Sequence, residues 1–302
     1  MRKIAPHLWF DREAKDAAEL YTSLIPDSKI INVRTLHNTP SGDCDLVAFE
    51  LSGQSFMAIS AGPPFKFNPS ASFQLKCKTT DEVDATFEKL SRGGKVLMPL
   101  GSYPFSDRYG WLEDKYGLSW QVIFAGEREM KQRITPALLF VASVCGKAED
   151  AVNFYAQVFK NSPAGAEGST NANILARYGK GEEPDKEGTV RYASFTLAGQ
   201  EFGARDSARE HRFAFNEAIP FMVPCDTQQE IDYFWEKLSA DPNAGQCGWL
   251  KDKYGLSWQI TPTILSEMLG GHDTERTARV TRAFLKMKKF DLEGLTRAYE
   301  GK

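Results

Sequence analysis

The sequence lacks the features that mark membrane, secreted and nucleic-acid-binding proteins. Its 302 residues hold no run of about 18 apolar residues that could cross a bilayer, and the mean hydropathy is -0.40. No apolar signal core opens the chain, so we expect a soluble, cytoplasmic protein. A net charge of -3 offers no excess of positive charge to neutralise phosphates. We therefore expect neither a membrane nor a nucleic acid as a partner.

Cysteine is scarce, and its spacing fits neither a disulfide framework nor a cysteine-ligated zinc site. The five cysteines are scattered and never form C-x-x-C, which favours a reducing compartment. Cys77 and Cys225 stand at matching strand positions, which predicts buried packing. The sequence also has no G-x-S-x-G elbow, phosphate-binding glycine loop, H-E-x-x-H motif or glycine-rich turn of the methyltransferase type. It predicts no cofactor.

The chain contains an internal duplication. Residues 111–122 read WLEDKYGLSWQV and residues 249–260 read WLKDKYGLSWQI, with ten of the twelve positions identical. Residues 51–56 (LSGQSF) and 197–202 (LAGQEF) match in the same order. Such a repeat, about 125 residues long, has the size of a domain. We predict domain 1 over residues 1–126, domain 2 over 134–265 and a helical tail over 266–302.

Hydrophobic periodicity predicts the order β-α-β-β-β twice in each repeat. In repeat 1 it predicts Asp11 as the N-cap of the first helix and a capping box at Thr79, with a second box at Thr227 in repeat 2. Residues 91–110 read as a long aromatic loop, and 178–188 as a mobile insertion. The strands expected in repeat 1 are Ile4–Phe10, Ser28–Leu36, Asp45–Leu51, Ser55–Ser60 and Ser72–Lys78.

The paired βαβββ units, the helix residues Tyr21 and Tyr155, and the WL-x-D-K-Y-G-L-S-W-Q block resemble the vicinal oxygen chelate superfamily. This group is also called the glyoxalase/bleomycin-resistance/dioxygenase fold, and its PhnB-like, demethylubiquinone methyltransferase-like branch is the most similar. The resemblance implies an α+β fold of tandem duplicated domains. Each domain would consist of paired βαβββ modules forming a curled mixed sheet around a cavity, followed by C-terminal helices.

The resemblance also implies where a divalent metal would bind. Metal-dependent members use His and Glu side chains, one of them a Glu on the last strand, where this chain has Gln121 and Gln259. His7 stands near a second ligand position, but repeat 2 has Ala137 there. The remaining histidines, His37, His211 and His272, read as loop or helix-start residues. We therefore predict no metal site.

Strand alternation places Gln121 on the opposite face from Trp120. We accordingly expect Trp120 and Trp258 in the core. Asp107 and Arg108 read either as a polar ligand site or as a solvated surface pair. The residues that we expect to line a ligand cavity, chiefly in repeat 1, are His7, Trp9, Gln74, Tyr103, Phe105, Trp111, Gln121 and Gln259.

These observations favour a metal-independent protein that binds a small molecule, with a sequestration or resistance role. The ligand would be a modest apolar or aromatic compound with hydrogen-bonding groups. Two alternatives stay open: a metal-dependent lyase, isomerase or dioxygenase, or a structural protein with filled cavities. An enzyme of this kind would be of the glyoxalase or dioxygenase type rather than a methyltransferase. The assembly would be a monomer with an internal pseudo-dimer, or a homodimer.

Overall fold

A computed structural model describes residues 4–39, 41–126, 130–163, 169–241, 245–270 and 273–302; His272 lies outside these ranges. Within them the chain forms two mixed β-sheets flanked by helices, which confirms the predicted α+β class. The elements are β1 Ala5–Phe10, α1 Ala14–Leu24, β2 Lys29–Thr39, β3 Gly42–Leu51, β4 Gln54–Ser60, β5 Ala71–Cys77, α2 Thr80–Ser91, β6 Lys95–Tyr103, β7 Ser106–Glu113, β8 Ser119–Phe124, β9 Ile134–Phe140, α3 Ala148–Lys160, β10 Asn171–Arg177, β11 Val190–Leu197, β12 Gln200–Asp206, β13 Phe221–Cys225, α4 Gln228–Leu238, β14 Trp249–Lys251, β15 Ser257–Pro262, α5 Leu265–Met268, α6 Thr274–Phe284 and α7 Leu292–Glu300. No helix among the described residues is both long enough and apolar enough to span a membrane.

Each sheet takes strands from both repeats. The first sheet has the order β14-β15-β13-β1-β4-β3-β2, and the second has β10-β11-β12-β9-β5-β8-β7-β6. Strand β1 pairs with β4 of its own repeat and with β13 of the other, while β9 pairs with β12 and β5. This exchange covers strand edges that each half would otherwise leave unpaired. The sequence repeats therefore do not correspond to separate sheets.

Aromatic side chains join the helix-covered faces of the two sheets in one core. Phe56 of the first sheet meets Phe73 of the second with ring centroids 5.3 Å apart, and Phe202 meets Phe221 at 5.2 Å. These two contacts occupy matching positions in the repeats. The predicted core residues are confirmed, because Trp120, Trp258, Cys77 and Cys225 are all at most 1% exposed.

A buried aspartate explains the repeated D-K-Y-G-L-S-W block. Asp114 accepts hydrogen bonds from the backbone N–H groups of Tyr116 (2.8 Å) and Leu118 (3.1 Å), which closes the turn before β8. It also accepts from Trp120 Nε1 (3.0 Å) and from the Tyr21 hydroxyl on α1 (2.7 Å). One carboxylate thus fixes a turn, a core tryptophan and a helix together.

The second repeat builds the same arrangement around Asp252. Tyr155 on α3 donates to it at 2.7 Å, and Trp258 Nε1 donates at 2.9 Å. Two backbone N–H groups of the following turn complete the set. The tyrosines that the sequence places on the two helices are therefore anchors for the turn in the last hairpin of each repeat.

Several local predictions were wrong in detail. Helix α1 begins at Ala14 with Glu13 as its N-cap, and Asp11 makes no capping hydrogen bond. Residues expected as a long aromatic loop form most of the β6–β7 hairpin at the edge of the second sheet. Thr79 and Thr227 are confirmed as N-caps, since each accepts a hydrogen bond from the backbone of the third helical residue. The capping box is complete at Thr227, whereas the Glu82 carboxylate accepts from the Lys78 N–H at 2.7 Å instead of from Thr79. The mobility expected of residues 178–188 stays a prediction.

The tail takes the place of an edge strand in the last unit. Among the residues described after α4, this unit has β14, β15 and a single bridge, whereas the matching unit of repeat 1 has three strands. The N–H groups of Cys247 and Gly248 donate to the carbonyls of Met287 and Lys288, each at 2.8 Å. A Cβ on Gly248 would overlap the tail ring of Phe290. The tail helices α6 and α7 are confirmed, and they pack on the body.

Candidate ligand sites on two concave faces

The predicted ligand residues lie on two concave faces rather than in one cavity. Trp9 on β1 and Trp249 on β14 have ring centroids 5.5 Å apart, although β13 and β15 lie between their strands. Arg205 on β12 lies 4.9 Å from the Trp111 ring on β7, with three strands between. Both sheets are therefore strongly curled, as predicted.

We name each face by its distinctive side chain. The histidine face, on the first sheet, carries His7, Trp9, Trp249 and Gln259. The arginine face, on the second sheet, carries Ser72, Gln74, Trp111, Gln121 and Arg205. Each face combines residues of both repeats, so His7 and Trp9 do not share a site with Gln74, Trp111 and Gln121.

His7 is the central polar group of the histidine face. Its Nδ1 lies 2.8 Å from Oε1 of Gln259, and the side chain is only 5% exposed. Burial lowers the pKa of His7 from 6.5 to about 4, against a smaller opposing effect of the Gln259 hydrogen bond. The imidazole is then neutral at pH 7, and its Nδ1–H donates to Gln259. Its Nε2 is left as a buried acceptor without a partner in the described structure.

Aromatic rings surround His7. The Trp249 ring lies 5.5 Å from the His7 ring, and Trp9 meets Phe65 edge-on at 5.0 Å. Trp9 is held in place because its Nε1 donates to the carbonyl of Gly62 at 2.8 Å. The histidine face therefore presents one unpaired nitrogen among apolar side chains.

The segment after β15 crosses one end of the histidine face. Arg34 of β2 donates from Nη1 to the carbonyl of Ser266 in α5 at 3.0 Å. Leu265 and Met268 of the same short helix are buried. Strand β2 is one edge of the sheet, and helix α5 follows β15, which lies next to the other edge strand, β14. This contact therefore narrows the opening between the two edges of the curled sheet.

A hydrogen-bonded amide forms the floor of the arginine face. Gln121 donates from Nε2 to Ser72 Oγ at 2.8 Å, and its Oε1 accepts from the Tyr109 hydroxyl at 2.9 Å. Gln74 Nε2 approaches the same oxygen at 3.4 Å. Thr135 lies in register with Gln74, and its Oγ1 is buried without a partner. The floor thus has one fully bonded amide and one free hydroxyl.

Aromatic side chains form one wall of the arginine face. Trp111 is buried, and its Nε1 donates to Ser119 Oγ at 2.8 Å. Tyr109 packs in the same small cluster as Leu139, and burial raises the pKa of its hydroxyl. Arg205 packs over the exposed side of the Trp111 ring as a cation–π contact.

Tyr103 and Phe105 stand at the tip of the β6–β7 hairpin. Tyr103 donates to the Pro99 carbonyl at 2.8 Å, and Phe105 is 59% exposed. Both rings contact Tyr109, with centroids 5.5 Å and 4.9 Å away. They cover the aromatic wall instead of lining the floor.

The neighbouring Asp107–Arg108 pair belongs to the surface. Arg108 forms a two-pronged ion pair with Asp84 of α2, with N–O distances of 2.6 Å and 2.8 Å. Asp107 is exposed. The solvated-pair alternative therefore describes these two residues, with Asp84 as the partner of the arginine.

Sequence reasoning missed several residues of both faces. Trp249 could have been found, because it is the repeat partner of the predicted Trp111. Ser72 and Thr135 carry no such signal, since their strands β5 and β9 pair only through the exchange between repeats. Arg205 comes near Trp111 only through the curl of the sheet.

The donor set does not fit a His–Glu metal site. Gln121 and Gln259 stand where the resemblance implies a carboxylate, and both amide oxygens already accept hydrogen bonds. Among the described residues no group of three or more His, Cys, Asp or Glu side chains is placed to hold an ion. The residue in register with His7 on β4 is Met57, which offers a thioether and neither an imidazole nor a carboxylate.

Two curled mixed sheets of duplicated βαβββ units, each with a concave face, define a protein of the vicinal oxygen chelate fold. The chain belongs to the 3-demethylubiquinone-9 3-methyltransferase family, which it matches over residues 2–123 and 132–261. The resemblance seen in the sequence is therefore confirmed, including its two tandem copies.

Two solved structures are similar to this chain. A putative 3-demethylubiquinone-9 3-methyltransferase, PhnB protein, from Bacillus cereus is 42% identical; the match covers 41% of this chain and 100% of that one, with a TM-score of 0.39. Glyoxalase I from Zea mays is 10% identical over 89% of this chain and 98% of its own, with a TM-score of 0.51. The latter likeness shows the fold alone. A comparison with curated proteins found no match.

Proposed function

We propose that the chain binds small organic molecules on its concave faces and that it does so without a divalent metal. The observation that carries this proposal is the state of Gln121 and Gln259. Each is a neutral amide at the position of an expected carboxylate, and each oxygen accepts a hydrogen bond, from Tyr109 at 2.9 Å or His7 at 2.8 Å. A neutral, occupied oxygen cannot offset the charge of a cation.

The histidine face supports a ligand with an aromatic body and a hydrogen-bond donor. Its only unpaired buried side-chain atom among the residues that define it is His7 Nε2, which the tautomer makes an acceptor. Trp9 and Trp249 supply apolar surface beside it. A buried acceptor without a partner is unfavourable by about 1–3 kcal/mol, and a ligand donor would remove that penalty.

Phenol and anisole test this proposal as a matched pair. Binding of each to the extensively dialysed full chain is measured by calorimetry, and metal content is measured by mass spectrometry. We expect phenol, which has a donor, to bind more tightly than anisole, and His7→Asn to remove the difference. His37→Asn is the control, because that imidazole is exposed beside Asp43.

Two results would contradict the proposal. Stoichiometric Zn, Ni, Mn or Fe that survives dialysis would favour the metal-dependent lyase, isomerase or dioxygenase. The absence of binding by either aromatic compound, and by a broader set of small molecules, would favour a structural protein with filled faces.

We also propose that the chain is a monomer with an internal pseudo-dimer. The support is the strand exchange, because each repeat completes the sheet of the other as two separate copies would. Sedimentation equilibrium should give the mass of one chain, 33.8 kDa. A mass twice that value would favour the homodimer.

A further inference from the structure

Arg205 is a half-buried cation without an acceptor. Its guanidinium lies 4.9 Å from the Trp111 ring, yet in the described part of the chain it makes no hydrogen bond and no ion pair. By contrast, Lys76 on the same face pairs with Glu201 at 3.3 Å. A partly desolvated guanidinium with five unused donors is unfavourable unless something else accepts from it.

Two further basic residues lie near Arg205. Arg209 and His211 lie close by on the segment after β12, and His211 contacts Ser207 and the Phe213 ring. Burial lowers the pKa of His211, the charges of Arg205 and Arg209 lower it further, and the charge of Asp185 opposes them with a smaller effect.

The nearby carboxylates are already bonded to backbone. Asp185 accepts from the Ala208 N–H at 2.7 Å. Asp206 accepts from the N–H groups of Gly146, Ala148 and Val190. Neither carboxylate forms a hydrogen bond or an ion pair with Arg205 in the described part of the chain, so its guanidinium has no local acceptor.

A second group on the arginine face also lacks a partner. Thr135 is 3% exposed, and its Oγ1 forms no hydrogen bond within the described structure. It lies on the floor in register with Gln74. The same face offers apolar surface, because Phe213 packs on the cluster that contains Trp111 and Leu139. Cation, hydroxyl and aromatic wall thus occur together.

The duplication provides an internal comparison. Arg205 pairs in register with Leu139, and the matching pair on the histidine face is Ile59 with Trp9. The histidine face therefore has an isoleucine where the arginine face has a cation. Since the backbone pattern is the same, the difference lies in the ligand charge that each face accepts.

We propose that the arginine face binds an organic carboxylate, with the carboxylate on Arg205 and an apolar body against Trp111 and Phe213. This inference rests on the proposed function and names the ligand class for one of its two faces. A guanidinium accepts a carboxylate through two parallel N–H···O bonds, which a neutral amide cannot reproduce.

The probes are 2-naphthoate and its neutral isostere 2-naphthamide, measured by calorimetry on the full chain. We expect the carboxylate to bind at least about tenfold more tightly, as one charge-assisted contact allows. Arg205→Met should remove this preference, because it keeps an apolar stem of similar size and removes the guanidinium group. Arg209→Met is the matched control and should keep the preference, because that arginine is exposed.

A measurement on the unmodified chain guards against a variant that fails to fold. Addition of 2-naphthoate should shift the indole N–H resonance of Trp111 and leave that of Trp249 in place, with assignments from Trp→Phe variants. Equal affinity for the two probes, a preference that survives Arg205→Met, or a shift at Trp249 instead would overturn the inference while the proposed function stands. No binding of either probe, together with no binding of phenol, would overturn both.

Discussion

Protonation of His7 should make the protein less stable in mild acid. The pKa of His7 is about 4 in the folded chain and 6.5 when the side chain is free in water. Between these values the unfolded chain binds a proton that the folded chain does not, so stability falls as the pH falls. At 1.36 kcal/mol per pH unit, the difference corresponds to about 3 kcal/mol between pH 7 and pH 4.

Urea unfolding of the full chain and of His7→Asn at steps across this range measures the effect. Other groups titrate here too, but they do so in both proteins, so the difference between the two free energies isolates His7. From pH 7 to pH 4, the free energy of unfolding of the unmodified chain should fall by about 3 kcal/mol more than that of His7→Asn. His37→Asn should track the unmodified chain, because His37 is exposed. A difference that stays constant with pH would refute the buried, neutral imidazole.

Three further predictions concern the scaffold, each read as the free energy of unfolding in urea. Tyr21→Phe and Tyr155→Phe should each lower stability by about 1.5–3 kcal/mol, because each removes a hydrogen bond to a buried carboxylate; losses below about 0.5 kcal/mol at both sites would contradict the anchoring role. Gly117→Ala should lower the free energy of unfolding by about 1–2 kcal/mol, because the residue has a positive φ and open space around it. Gly248→Ala should lower it by clearly more, because the new methyl group would also overlap neighbouring atoms. Equal losses would contradict the packing at the tail. Removal of residues 274–302 should lower the urea midpoint and promote aggregation, because it leaves the N–H groups of Cys247 and Gly248, directly before β14, without their backbone acceptors. An unchanged midpoint would show that the tail is not needed.

The elements of the fold could largely be predicted from the sequence because their signals are local. The repeated block reveals the duplication, and alternation along β8 places Trp120 in the core and Gln121 on the concave face. The structural role of Asp114 in this block is not evident from the sequence, however. Asp114 is understood only when Tyr21, far away in the chain, is seen to donate to it.

The sites could be predicted only in part because they depend on pairing between repeats. His7 and Gln259 were both predicted, but their contact crosses 252 residues of sequence. Arg205 reads as one charged residue among many until the curl of the sheet brings it over Trp111. The β6–β7 hairpin has no regular strand pattern in the sequence, because its strands contain Pro99 and Gly101 and pair with several register shifts.

The two faces hold their central amide with different partners. On the arginine face Ser72 accepts from Gln121, and the residue in register with Ser72 is Ala137. On the histidine face the position of Ser72 is Pro220, which has no hydroxyl, and the position of Ala137 is His7. His7 does not replace that acceptor: it donates to the amide oxygen of Gln259, and Gln259 Nε2 donates to the Cys247 carbonyl at 3.4 Å.

This exchange of partners predicts a compensation experiment on the arginine face. Ser72→Ala leaves the buried Gln121 Nε2 without its acceptor and should lower stability by about 1–3 kcal/mol. Adding Ala137→His should restore part of that loss, because a neutral imidazole with its proton on Nε2 can accept from Gln121 Nε2 through Nδ1, the reverse of the hydrogen bond from His7 to Gln259. Tyr192 lies against Gly203, beside position 137, and would crowd a histidine there. Tyr192→Leu is therefore combined with Ala137→His in two variants, one with Ser72→Ala and a control that keeps Ser72. If the histidine lowers urea stability by the same amount with and without Ser72, the two side chains do not substitute for each other as acceptors of Gln121.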